Sequence, residues 1–299
     1  MGERTIKIKE FYQGNKPVLS LEIFPPGTDY PLDSIFATLD KLTQLQPAFI
    51  SVTYGAGGSN RARTVEIASR IKKQYNMEAL AHLTCVGHTR AEVDAILDKL
   101  TTEGIDNIMA LRGDLPADDT DFDLASQDYH YAIELIGDAR KKSNFGIAAA
   151  AYPEGHPESR RLSEDLVYLQ QKVNAGVDIL ITQLFFDNRV YYDFVEKANR
   201  VGINIPIIPG IMPVLNAKQI KRMIYLGGAS IPAKLLKLVD KYENEPEEME
   251  KAGIEYASQQ IDDLLDNHIP GVHLYTMNKW AQISEIVKNV SGLHYVGVG

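Results

Sequence analysis

Cysteine is nearly absent from this chain. Its 299 residues include one, Cys85, so no disulfide can form within it and it fits a reducing compartment, the cytoplasm. No apolar run approaches the ~20 residues of a membrane helix. The opening Met1-Gly2-Glu3-Arg4-Thr5-Ile6 has no apolar signal-peptide core and no Ser or Thr at position 6 for myristoylation. No membrane partner is expected. Positive charge is short as well. There are 31 Lys and Arg against 40 Asp and Glu, a net charge of −9. That argues against nucleic acid as the main partner, and an anionic ligand must be met by local cations. No Pro/Ser-rich linker divides the chain, so residues 1–299 read as a single domain.

What is present is a repeated junction. Glu103-Gly104-Ile105-Asp106, Ala175-Gly176-Val177-Asp178 and Val201-Gly202-Ile203-Asn204 each follow a helix-period stretch and precede an apolar run. Glycine just past a helix takes φ > 0 and ends it. The helix before Gly104 opens on a capping box, Thr89-Arg90-Ala91-Glu92, and carries Val93, Ile96, Leu97 and Leu100 on one face. Leu162, Leu166, Leu169 and Val173, and then Val190, Phe194, Ala198 and Val201, form similar stripes. Eight short apolar runs alternate with such helices: 18–24, 48–54, 78–84, 107–112, 146–152, 178–183, 205–211 and 272–276. Strands covered on both faces read this way. One βα unit per roughly 37 residues predicts an α/β fold, a (β/α)₈ TIM barrel. Residues 1–17 are left as an N-terminal extension. The interval 212–271 is predicted to hold two or more extra helices, with the acidic stretch Glu243 to Glu250 as a solvated face or loop.

Active sites of such barrels lie at the C-terminal ends of the strands, and here those ends are polar. Side chains alternate along a strand. Leu19, Leu21 and Ile23 suit the helix layer, which points Glu22 into the barrel. The same parity points Thr53, His82, Arg112 and Tyr152 inward. A carboxyl among apolar neighbours is expected to have a raised pKa, which suits a general acid. The alternative for Glu22 is an ion pair with Arg112 across the barrel. Asp114 either caps the next segment or meets ligand. His82 and His156 have no metal-ligand spacing around them, so no metal is expected. Tyr54-Gly55-Ala56-Gly57-Gly58-Ser59 is a Gly-rich loop opening a helix, suited to a phosphate or to a plain turn. No strand end carries a lysine, which argues against a Schiff-base aldolase. The Tyr191-Tyr192 pair is expected to pack a helix.

Six segments now stand in order: Glu22-Ile23-Phe24-Pro25-Pro26, Val52-Thr53-Tyr54-Gly55-Ala56-Gly57-Gly58, Leu111-Arg112-Gly113-Asp114, Ala151-Tyr152-Pro153-Glu154-Gly155-His156-Pro157, Ile181-Thr182-Gln183 and Pro209-Gly210-Ile211-Met212-Pro213. Together, across about residues 18–280, they resemble the methylenetetrahydrofolate reductase family in its short bacterial form. That form lacks the regulatory domain of eukaryotic members, so the resemblance implies no regulation by S-adenosylmethionine. It implies noncovalent FAD in the barrel, NADH or NADPH as electron donor, folate as substrate and a homo-oligomer. The implied reaction is ping-pong reduction of 5,10-methylenetetrahydrofolate to 5-methyltetrahydrofolate, with the organic chemistry supplied by the flavin.

Carried over by residue, the resemblance makes Glu22 the general acid and Asp114 the carboxylate near flavin and pterin. Thr53, Tyr54, Ala56, His82, Arg112, Gly113, Asp114, Tyr131, Ala132, Tyr152, His156, Asp165 and Lys172 match positions lining FAD. Arg112 and Lys172 are the cations for its pyrophosphate. Glu22, Asp114, Gln183, Gln219, Tyr275 and Lys279 match substrate positions. There are departures. Tyr168 and Gln171 replace an Asn and an Arg near FAD, Lys279 replaces an Arg at the folate tail, and Met223 replaces a Phe that stacks on ligand. Three other readings compete. They are a second FAD barrel oxidoreductase of proline dehydrogenase type, a flavin-free lyase or pterin-binding methyltransferase, and a folate- or flavin-binding protein without catalysis.

Overall fold

A computed structural model describes residues 6–55, 61–115, 122–220, 223 and 228–293. Ala56 and the rest of the Gly-rich loop, 56–60, lie outside the described residues. The strands are β1 (Val18–Ile23), β2 (Phe49–Val52), β3 (Glu78–Thr84), β4 (Asn107–Leu111), β5 (Gly146–Ala151), β6 (Ile179–Thr182), β7 (Ile207–Ile208), β8 (Gly210–Ile211) and β9 (Gly271–Tyr275). All pairings are parallel, in the order β7-β6-β5-β4-β3-β2-β1-β9-β8. β7 pairs with β6 and β8 pairs with β9, so the two ends of the sheet are consecutive in the chain. Only Pro209 separates them. It has no N–H to give a ladder, but its carbonyl accepts from His273 N at 3.0 Å. β7 and β8 are thus one interrupted strand that closes the ring. The eight expected strand positions are all present, the seventh in two pieces, and the fold is a TIM barrel.

Helices α1 (Asp33–Leu42), α2 (Arg61–Tyr75), α3 (Arg90–Thr102), α4 (Ala132–Lys142), α5 (Leu162–Asn174) and α6 (Asn188–Arg200) fill the crossovers. The capping box forms as the sequence indicates, with Glu92 N donating to Thr89 Oγ1 at 3.2 Å and Thr89 N to Glu92 Oε2 at 2.8 Å. Gly104, Gly176 and Gly202 all take positive φ, 76°, 120° and 86°. Val93, Leu97 and Leu100 of α3 and Phe194 and Ala198 of α6 are buried against the strands. In 212–271 the described residues include the helices α7 (Ala233–Lys241) and α8 (Pro246–Asp266). Glu247 and Glu248 occupy the first turn of α8, where its dipole favours negative charge. The last helix is α9 (Trp280–Asn289).

Residues 8–12 are more than an extension. They form a short 3₁₀ turn, Ile8–Tyr12. Ile8 is fully buried among the inward residues Phe49, Leu80, Met109, Ala148, Ile179 and Ile208. It plugs the N-terminal end of the barrel, and burying such a side chain stabilises by about 2 kcal/mol. Asn107 ties the plug down. Its Oδ1 accepts from Ile8 N at 2.8 Å and its Nδ2 donates to Ile6 O at 2.9 Å. This seals one end and leaves the other for the site.

Candidate active site

Nearly every strand residue is buried. The exceptions are Glu22, Leu111, Ala150 and Tyr275, which are partly exposed. All four share the inward parity and lie near the C-terminal ends of their strands. They define the mouth: an acid, a phenol and two apolar side chains. Parity explains the apolar part. The inner face of β5 carries Ala148 and Ala150, and that of β4 carries Met109 and Leu111. Small and flat surfaces there give a broad ring system somewhere to lie.

Glu22 faces inward as parity predicts, and three elements meet it. Ser51 Oγ donates to its Oε2 at 3.3 Å. His82 Nε2 lies 3.3 Å and His273 Nε2 3.6 Å from the same oxygen. The expected upward pKa shift is not what results. Burial does push the carboxyl up, but hydrogen bonds and charge from His273 and His82 outweigh it and hold Glu22 at about 2. The expected alternative, an ion pair with Arg112, does not form either. Arg112 makes a bidentate pair with Glu158, both contacts 2.7 Å. The inward face of β4 is Asn107, Met109 and Leu111, and the strand ends there. Arg112 therefore leaves on the opposite parity and reaches the β5–α5 loop, so the inward assignment of Arg112 is corrected.

The remaining candidates gather on two sides of the mouth. On the β4–β5 side, Tyr152 and His156 meet edge to face at 4.6 Å, and His156 N donates to Asp165 Oδ2 at 3.2 Å. Lys172 reaches from α5 to donate to Ala150 O at 3.0 Å, so a lysine does stand at a strand end, though not on one. Burial lowers its pKa and the charge of Asp165 opposes this. Gly113 has φ 91°, and a Cβ there would lie 2.9 Å from Thr84 Cβ and Val86 Cγ1. Glycine alone permits the turn that presents Asp114, which is exposed and whose charge raises the Tyr152 pKa, after burial. Tyr131, exposed, and Ala132 open α4. On the β6–β9 side, Gln183 Oε1 accepts from Leu184 N at 2.9 Å, and Tyr275 Oη donates to Thr182 O at 2.6 Å. Lys279 is exposed at the start of α9, just after β9. Gln219 is half-buried in the segment after β8, its N–H bonded to Asn216 O, and is not brought to the mouth by any contact among the described residues.

Some candidates fall elsewhere. The Thr53 side chain keeps inward parity, but the Tyr54 ring is buried in the outer core beside His88, 6.2 Å away. Met223 is buried with Leu184, Phe186 and Ile220. Tyr168 and Gln171 are exposed on α5. Tyr191 and Tyr192 are packing groups as expected. Tyr191 stacks on Phe185 at 5.6 Å, and Tyr192 Oη bonds Asp263. Among the described residues, no group of three or more His, Cys, Asp or Glu side chains is arranged to hold a metal ion. Sequence reasoning gave no role to Ser20, Ser51 or the buried ring of His273. The signal was there, since Ser20 shares the inward parity of Glu22 on β1, and Ser51 and His273 share it on the neighbouring strands β2 and β9.

The profile of the family described as methylenetetrahydrofolate reductase matches residues 7–291. The chain belongs to that family. A 5,10-methylenetetrahydrofolate reductase of Escherichia coli is 36% identical over 275 residues, covering 92% of this chain and 90% of that protein. The Salmonella typhimurium enzyme of the same name aligns equally well, 36% over 275 residues with the same coverage. A methylenetetrahydrofolate reductase (NADH) 1 of Arabidopsis thaliana is 36% identical over 283 residues, 91% of this chain. The chain spans about half the length of such plant relatives, 48% in that case. Among solved structures, an oxaloacetate acetylhydrolase superposes with a TM-score of 0.52 at 9% identity, covering 93% of this chain and 82% of that one. At that identity the likeness is one of fold alone.

Proposed function

We propose that this protein is a methylenetetrahydrofolate reductase that uses FAD and reduces 5,10-methylenetetrahydrofolate to 5-methyltetrahydrofolate. The observation that carries the reading is the mouth itself. In a family member, the four strand residues that stay partly exposed are an acid, a phenol and two apolar side chains. The apolar half, Leu111 and Ala150, suits a flat ring. Arg112 and Lys172, close by, supply the positive charge a pyrophosphate needs in a protein of net charge −9. His156, Asp165, Tyr152, Gly113, Tyr131 and Ala132 complete that side. When bound, FAD supplies hydride chemistry between NADH or NADPH and the folate one-carbon unit.

The chain's own residues do the rest. Glu22 gives a proton to the folate N10, which opens the five-membered ring to an N5-iminium cation. Asp114, a carboxylate in the loop after β4, favours that cation by its charge. Gln183 and Tyr275 orient the pterin, Gln219 contacts the substrate, and Lys279 meets the anionic tail as a point charge. A proline dehydrogenase-type reaction would need no acid at Glu22, so one variant separates the readings. Glu22→Gln is expected to slow folate reduction by about 10²–10⁴-fold, the usual contribution of a positioned acid, while oxidation of the pyridine nucleotide by the holoenzyme survives. Folate reduction at the unaltered rate contradicts the proposal.

A further inference from the structure

Below Glu22 runs a buried polar row. Ser20, Ser51 and His273 are completely buried. Ser20 Oγ lies 3.3 Å from Val272 O and 2.8 Å from His273 Nδ1. A hydroxyl has one proton to give. Donated to the Val272 carbonyl, it leaves Oγ as the acceptor for an Nδ1–H. His273 Nε2 then points at Ser51 Oγ, 3.4 Å away, and at Glu22 Oε2, 3.6 Å away. Ser51 also has one proton and is 3.3 Å from Glu22 Oε2, so it serves only one of the two. Bare lone pairs on Nε2 and Oε2 facing each other out of water repel. The row is relieved by one proton between them.

We propose that His273 is the positioning residue that holds the proton Glu22 donates, with Ser20 fixing its orientation and tautomer. The inference rests on Glu22 being the acid. In the step, the Nε2–H bond breaks as an O–H bond forms on Glu22 Oε2. That O–H then breaks as an N–H bond forms on the substrate amine, which leaves His273 as the neutral Nδ1–H imidazole, and a proton taken up from solvent restores its Nε2–H. This explains how a carboxyl that His273 and His82 hold ionised serves as an acid. The groups facing the row are Glu22 and Ser20 from β1, Phe49 and Ser51 from β2, His82 from β3, Tyr275 on β9 and Tyr12 beneath Ser20. Burial pushes both tyrosines up, so they stay neutral. The Phe49 ring stacks on His273 at 6.1 Å and the Tyr275 ring meets it edge-on at 5.5 Å, which fixes its plane.

The test takes holoenzyme reduced in advance and follows single-turnover folate reduction against pH. His273→Gln is expected to slow this half-reaction by about tenfold or more, part of the about 10²–10⁴-fold an acid supplies. It should also displace the acid limb of the profile and affect nucleotide oxidation less. Ser20→Ala should displace the same limb with a smaller loss, and it carries the test if His273→Gln does not fold. Histidine ¹⁵N NMR of the wild type should find a proton on Nδ1 of His273, and Ser20→Ala should lose that preference. Profiles superimposable on wild type in both variants overturn the inference, as does a bare Nδ1, or a displaced limb in His82→Gln alone. If Glu22→Gln spares folate reduction, it is the assignment of Glu22 that fails. If Glu22→Gln abolishes it and both row variants are silent, only the role of His273 fails.

Discussion

Glu22 shows how far one residue's chemistry depends on distant sequence. Its inward direction was legible in β1, where Leu19, Leu21 and Ile23 take the other face. Its charge state was not, because His82 and His273 come from β3 and β9 and local sequence does not bring them together. The depressed carboxyl also has a stability consequence. A carboxyl at 4.5 when unfolded and about 2 when folded stabilises fully above 4.5 and loses that contribution as pH falls toward 2. The stability gap between wild type and Glu22→Gln should therefore shrink as pH drops from 5 to 3, read by urea unfolding. Arg112 offers a second prediction. Its guanidinium is occupied by the exposed Glu158, an ion pair worth about 0–1 kcal/mol. Glu158→Ala frees it for phosphate and should tighten FAD binding by up to about fivefold, measured by flavin fluorescence at low salt. Weaker binding would mean that Glu158 helps to hold the cofactor.

At the scale of elements, local patterns were read well. The capping box of α3, the glycine junctions and the apolar stripes of α3, α5 and α6 are all decided within a few residues, and all formed. Long-range features were less visible. The break between β7 and β8 follows from Pro209, whose missing N–H shows only once its neighbours are known. The plug at Ile8–Tyr12 was unreadable because its partner Asn107 lies on β4. Arg112 was misdirected by one residue of strand length. Closure at the break also leaves no room for a side chain at Gly210. A Cβ there would lie 2.3 Å from Thr182 O and 2.7 Å from Tyr275 Oη. Gly210→Ala should cost about 1–3 kcal/mol or more and displace Tyr275, seen as a lower melting temperature together with weaker folate binding. A melting temperature unchanged from wild type would contradict this account of the closure.

For the molecule as a whole, the sequence supplied the barrel and the family, and the structure supplied where the barrel opens. No described helix is long and apolar enough to cross a membrane. The proposed FAD and folate are both anionic, so an acidic protein that took them would have to concentrate its cations; Arg112 and Lys172 lie beside the mouth, and Lys279 opens α9 just after β9. In the proposed reaction one mouth serves both nucleotide and folate in turn. The visible spectrum of the purified protein, followed anaerobically through addition of NADH, NADPH and then methylenetetrahydrofolate, tests it directly. The account predicts a flavin spectrum that a pyridine nucleotide bleaches and the folate restores. A protein that stays colourless after incubation with FAD, or a bleached flavin that the folate leaves bleached, would contradict it.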